Sequence, residues 1–214
     1  MPETSASTVR PPALIRNEPV QARSTARLAA LLDAAAQVVD EIGYERLTTA
    51  MVADRAGASI GTVYRYFPDR IAVLQSLAAR NEERISASVL AEIRDGDYET
   101  WIDAMVGVFA LYVEAFRTEP GFAAIRLGDV LDLRPAEGTP QNSVLAGRMF
   151  DAIVARFGVI DNDDARFAFD AGYELTDALV ARAFARDPQG DARYLGQART
   201  ILRGIAAKDV TTAA

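Results

Sequence analysis

Apolar positions recur at intervals of three and four from about residue 24 to residue 207, and no stretch sustains an alternation of period two. The pattern predicts an all-α chain. Its first helix spans about 24–42, with Leu28, Leu31, Leu32, Ala35, Val38, Val39 and Ile42 along one stripe. Ser24 is placed to cap its start, and Gly43 to end it in left-handed backbone. Thr48 or Thr49 caps a short second helix that stops at Gly57, and Ser59 caps a third that ends near Phe67. Pro68 and Asp69 open a long fourth helix reaching about Arg94. Further helical patterns cover about 98–117, 119–127, 143–157, 163–186 and 191–207. Residues 1–22, rich in Ser, Thr and Pro, read as a disordered arm. Gly128–Asn142, with Pro135, Gly138 and Pro140, reads as a long irregular connection, and residues 187–190 as a tight turn.

The second and third helices carry the clearest signal. Two short helices separated by a three-residue turn with a glycine form a helix-turn-helix, whose second helix enters the major groove of DNA. Val52, Ala53 and Ala56 give the first of the pair a face of little bulk, so the second can cross it closely. Gly57 permits the sharp turn, and Val63 and Phe67, four apart, anchor the recognition helix. This predicts that Ile60, Gly61, Thr62, Tyr64, Arg65 and Tyr66 lie mostly outward. The hydroxyls of Thr48, Thr49, Ser59, Thr62, Tyr64 and Tyr66 suit phosphate oxygens, and Arg65 suits guanine or phosphate. Arg70, Arg23 and Arg27 add cations nearby.

Composition narrows the chemistry. The chain has 214 residues with no cysteine and no histidine, which removes thiolate chemistry, the commonest general base and the commonest metal ligand, and so demotes an enzyme. No cofactor motif is present: there is no phosphate-binding glycine loop, and Asp161-Asn-Asp-Asp164 fails as a calcium loop because Arg166 and Gly172 stand where glycine and glutamate are needed. That acidic run reads as the start of a helix, where the dipole favours carboxylates. The net charge of -7 belongs wholly to residues 71–214; residues 1–70 hold eight Arg against eight Asp and Glu and are neutral. A local basic face therefore stays compatible with DNA. With no apolar span of membrane length and no signal-peptide pattern, the expected location is cytoplasmic.

The segment from about 24 to 75 closely resembles the DNA-binding region of the TetR family of bacterial regulators. The matching positions are Gly43, Thr48-Thr49, Val52-Ala53, Ala56-Gly57, Ser59, Gly61-Thr62-Val63-Tyr64, Tyr66-Phe67-Pro68 and Arg70. After the arm read from composition (1–22), the resemblance implies a three-helix DNA-binding domain (23–69), and a connecting helix plus a helical ligand-binding and dimerisation domain (70–214). It implies DNA contacts by Thr48, Thr49, Ser59, Ile60, Gly61, Thr62, Tyr64, Arg65, Tyr66 and Arg70, to which the charge pattern adds Arg27. Ile60 departs from the family pattern, where a polar or basic residue is common; its apolar side chain suits a thymine methyl or sugar instead.

Three partners follow as expectations: palindromic double-stranded operator DNA, a second copy of the chain, and a small, mainly apolar effector that releases the DNA. The dimer is expected through the last two helices, using Ala168, Ala171, Gly172, Leu175, Ala178 and Leu179 on one and Tyr194, Leu195, Ala198, Ile201, Leu202 and Ile205 on the other. The effector pocket is expected among Trp101, Phe109, Tyr112, Phe116, Phe122, Phe150, Phe169 and Tyr173, with Arg126, Asp129, Asp132 and Glu174 as nearby charges and 128–142 as its entrance. The same aromatics also suit an ordinary core. Two other functions stay open on sequence alone: a DNA-binding regulator whose second domain binds only protein partners, and a helical enzyme.

Overall fold

The computed structural model describes residues 22–127 and 141–208. Their order is α1 (Ala22–Ile42), a single 3-10 turn (Tyr44–Arg46), α2 (Thr49–Arg55), α3 (Ile60–Tyr66), α4 (Arg70–Asp95), α5 (Trp101–Thr118), α6 (Phe122–Leu127), α7 (Gln141–Phe157), α8 (Asp163–Arg186) and α9 (Ala192–Lys208). The fold is all-α, as the periodicity predicts. The expected arm (1–21) and connection (128–140) lie outside the described residues, and so do the side chains of Arg126 and Ile205.

Most helix starts are encoded by a side-chain oxygen that accepts an otherwise orphaned backbone N–H. Thr48 accepts from Met51, Ser59 from Thr62, Asp69 from Ala72, Thr100 from Asp103 and Asn162 from Ala165. The acidic run at 161–164 is thus a helix start. One expectation fails: α1 already includes Ala22, so Ser24 lies within its first turn. Its hydroxyl is free for another bond and meets the Tyr66 hydroxyl at 3.1 Å. Gly43 (φ 82°) and Gly57 (φ 60°) occupy backbone that side chains with a Cβ resist, and they end α1 and turn the chain between α2 and α3.

Two apolar cores result. The first gathers α1, α2, α3 and the start of α4 around Leu31, Val39, Leu47, Val52, Val63 and Phe67. The second gathers the end of α4 with α5, α7, α8 and α9 around Ile93, Met149, Phe150, Ile153 and Val180. The short α6 belongs to both: Phe122 packs in the second core and Ile125 in the first. The backbone N–H of Gly121, just before α6, donates to Asp40 Oδ1 on α1 at 3.0 Å.

The second core is also tied by arginines. Arg166 donates to Asp161 (2.7 Å) and Asp151 (2.9 Å) and covers the Phe150 ring, and this pairing holds the Asp161 carboxyl below its ordinary range. Arg156 on α7 donates to the carbonyls of Ile93 (2.6 Å) and Gly96, closing the C-terminal end of α4. Arg156→Met keeps the aliphatic stem but strands those carbonyls. It is expected to cost about 2 kcal/mol, a fall of about 4–8 °C in melting temperature by calorimetry.

Candidate functional site

The exposed face of the helix-turn-helix is built by two caps and one cross-helix bond. Thr48 starts α2 and Ser59 starts α3, and the Ser59 and Thr62 hydroxyls sit 2.9 Å apart. Thr49 donates to the Tyr64 hydroxyl at 3.3 Å, which joins the two helices at their outer edge. Val63 and Phe67 are fully buried beneath, so α3 turns its other side to solvent. Tyr64 and Ile60 are each 44% exposed, so the outer side of α3 offers an aromatic hydroxyl and an apolar side chain to whatever meets it. Ser59, Gly61, Arg65, Thr48 and Arg27 are exposed as well, and Thr49 and Thr62 are half-buried. A Cβ at Gly61 would meet only Ser59 Oγ at 3.9 Å, so the backbone there lies open to a close approach.

Two expected contact residues sit differently. Tyr66 does not point outward: it is buried against the first core, and its hydroxyl bonds Ser24. The reason is helical phase, since Tyr66 follows Val63 by three and shares its inward face. Arg70 is exposed, yet Nη1 donates to the Glu45 carbonyl at 2.6 Å and so holds the 3-10 turn against α4. It is partly a structural clasp rather than only a cation.

In the second core, α4, α5, α7, α8 and α9 line a cavity of about 60 Å³. Five of the expected aromatics line it: Trp101, Phe109, Tyr112, Phe169 and Tyr173. Three do not. Phe116 stacks on Phe184 at 4.6 Å, Phe122 meets Phe116 edge-on at 5.1 Å, and Phe150 is consumed by Phe169 and Arg166. Each also touches a lining ring: Phe116 and Phe122 meet Tyr112, and Phe150 meets Phe169. Glu174 is half-buried but outside the lining, and Arg126, Asp129 and Asp132 lie outside the described side chains.

Aliphatic residues complete the wall: Ile85 and Val89 from α4, Met105 and Val108 from α5, Leu145 and Met149 from α7, and Leu202 from α9. They escape a search for aromatics because nothing separates a cavity-lining aliphatic from a core one in sequence. Thr176 and Asp177 are also in the wall, both buried, and Tyr112 donates to Asp177 Oδ1 at 2.6 Å. The signal for these two is readable: they extend the inward Phe169–Tyr173 spacing by one turn with polar side chains.

The outer faces of α8 and α9 are only partly free. Gly172, Leu195 and Ala198 are buried within the protomer, and Leu202 faces the cavity, so these expected dimer residues serve their own domain. Leu175 (53% exposed) and Ala178 remain on the surface, joined by Phe167 at 75%.

This arrangement can meet DNA with the α3 face and hold a small molecule in the second domain. Among the described residues there is no group of three or more acidic, His or Cys side chains able to hold a metal, and no helix long and apolar enough to cross a membrane. Residues 31–77 match the model of the bacterial regulatory proteins of the tetR family, and residues 99–206 match that of the tetracyclin repressor-like C-terminal domain. The chain is 37% identical over 78 residues to the HTH-type transcriptional repressor KstR of Mycolicibacterium smegmatis, covering 36% of this chain and 38% of KstR. It therefore matches little more than a third of that relative's length. An HTH-type transcriptional regulator of Mycobacterium bovis is 31% identical over 140 residues, 64% of this chain and 70% of the relative. The solved structure of a TetR-family regulator from Streptomyces coelicolor superposes with a TM-score of 0.69 at 32% identity, covering 86% of this chain and 99% of that one. With one family model on the helix-turn-helix and another on the helical domain behind it, the chain belongs to the TetR family of bacterial transcriptional regulators, which are DNA-binding proteins and not enzymes.

Proposed function

We propose that the protein is a repressor that binds a palindromic operator as a homodimer and leaves it when a small, mainly apolar molecule fills the cavity of the second domain. The observation that carries the reading is the α3 face, where exposed Tyr64, Ile60 and Arg65 stand above a fully buried Val63 and Phe67. A helix so anchored presents its outer side chains rigidly to the major groove. Repression is supported by the likeness to KstR, a transcriptional repressor, over the DNA-binding segment. Two copies related by a two-fold axis through α8 and α9 would place two recognition helices about one DNA turn apart.

The route from cavity to DNA runs through two elements. α4 lines the cavity with Ile85 and Val89 and enters the first core with Val73, Leu74 and Leu77. α6 supplies the second link. Phe122 meets Tyr112 of the cavity wall edge-on at 6.1 Å, while Gly121 and Ile125 hold α1 and the first core. An effector need only favour a conformation in which these links spread the recognition helices, and a coupling of about 1–3 kcal/mol lowers operator affinity 5- to 150-fold.

The first test is selection of bound duplexes from a random pool. An inverted repeat is expected; recovered sequences without dyad symmetry count against the reading. On that repeat, Tyr64→Ala is expected to cost about 1–3 kcal/mol of binding, measured by anisotropy, because it removes a contact and frees Thr49. Arg70→Ala should weaken all sequences alike and reduce the salt slope by about one. Unchanged affinity in Tyr64→Ala would show that α3 is not the reading helix.

A further inference from the structure

At the start of α3 an apolar side chain stands between two hydroxyls that are already engaged. The Ser59 and Thr62 hydroxyls lie 2.9 Å apart and bond each other, and Ser59 Oγ also accepts the Thr62 N–H. Between them in sequence come Ile60, the first residue of the helix, and Gly61. Ile60 is 44% exposed, although Val63 one turn on is fully buried. Gly61 is exposed as well, and it has no side chain to hold the helix off a surface.

In a helix-turn-helix the N-terminal residues of the second helix meet base edges, while the first helix crosses the phosphate backbone. The major groove presents donors and acceptors on every base pair but only one apolar group, the thymine C5 methyl. Isoleucine neither donates nor accepts. Against any other base edge it displaces water from a polar atom and puts no hydrogen bond in its place, which is unfavourable. Its β-branch also restricts χ1, so little freedom is lost when a surface packs on it.

We propose that Ile60 selects a thymine: in each operator half-site one thymine C5 methyl packs on the Ile60 side chain. The proposal rests on the reading of α3 as the operator-reading helix and adds which base its first residue chooses. A buried methyl contributes about fourfold to affinity, and a two-fold operator repeats the contact, so removing both methyls weakens binding about 15-fold.

The test uses the full-length protein and the inverted repeat recovered by selection. Each thymine of one half-site, with its symmetry mate in the other, is replaced in turn by deoxyuridine, which lacks only the C5 methyl. Affinity is read by anisotropy at fixed salt. At one position the replacement is expected to weaken the parent about 15-fold. Ile60→Ala changes an exposed residue and should fold as the parent does, but its side chain is too short to reach the methyl. It should bind the unmodified repeat more weakly and lose no more than about twofold to deoxyuridine at that position, the mark of a direct coupling between side chain and methyl. Tyr64→Ala should also bind more weakly yet keep the full deoxyuridine penalty there. Selection repeated with Ile60→Ala should recover other bases at the same position. A parent indifferent to deoxyuridine throughout, a half-site without thymine, or a penalty equal in the parent and Ile60→Ala overturns the proposal and leaves the operator reading standing, with Ile60 packed on sugar. If selection recovers no inverted repeat at all, the operator reading fails and takes this proposal with it.

Discussion

Leu175→Glu is expected to leave each protomer folded, to turn the dimer into a monomer, and to lower affinity for a full inverted repeat by 100-fold or more. The folding part follows from exposure. Leu175 is 53% exposed, so a carboxylate there stays in water and costs the isolated protomer little. The assembly part follows from symmetry. In an isologous interface each copy presents the same patch, so one substitution introduces two carboxylates, and burying either without a partner costs several kcal/mol. Phe167, 75% exposed two helical turns earlier, adds a second large apolar side chain to the surface of the same helix. The DNA part follows from linkage. A dimer engages its second half-site at a high effective concentration, and a monomer loses that advantage entirely. Light scattering should report the 23.1 kDa chain mass for the variant and about twice that for the parent. A Leu175→Glu protein that remains dimeric places the interface elsewhere.

Much of this molecule is legible in its sequence, for reasons that differ by region. The helix-turn-helix region is legible because short helices depend on local chemistry: Thr48, Ser59 and Asp69 act within three residues, and Gly43 and Gly57 act on their own backbone. What fails there is long-range. Ser24 reads as a cap but bonds Tyr66, 42 residues away, and Tyr66 turns inward because the third helix is anchored along its Val63 side. The second domain is legible in helix number and length but not in what each face meets. Phe109 and Phe116 are one helix and two turns apart, yet the first lines the cavity and the second stacks on Phe184. Gly172 and Leu202 read as outward interface residues and line the cavity instead. Such assignments depend on how α5, α7, α8 and α9 are arranged around one another, which spacing along any one helix does not contain. Thr176 stands between the two cases. Its inward position follows from the Phe169–Tyr173 spacing, whereas its missing partner is visible only in three dimensions.

The second large effect is expected at Gly121. It has φ 70°, and a Cβ built on it would lie 2.8 Å from the carbonyl oxygen of Ala36 on α1. Both observations have one cause: the turn into α6 presses its backbone onto α1, where Gly121 N–H reaches Asp40. Alanine at this position meets strain in its own dihedral and a backbone atom that has no side-chain freedom to yield. Gly121→Ala is therefore expected to cost about 2–4 kcal/mol of stability. It should relieve the clash by lifting α6 from α1, which leaves α4 as the remaining tie between cavity and recognition helices. In that case a molecule that fills the cavity should still bind the variant, because the cavity-lining residues lie on other helices. What it should lose is leverage: the effector-induced drop in operator affinity, 5- to 150-fold for a coupling of about 1–3 kcal/mol, should shrink towards none. Asp40→Ala, which removes only the hydrogen bond, should give the same change with about 1 kcal/mol of destabilisation. The measurement is a pair of operator titrations, with and without a saturating apolar ligand found by thermal-shift screening of the parent, on each protein at a temperature where all are folded. A Gly121→Ala protein that is destabilised yet releases DNA as fully as the parent would assign the transmission to α4 alone.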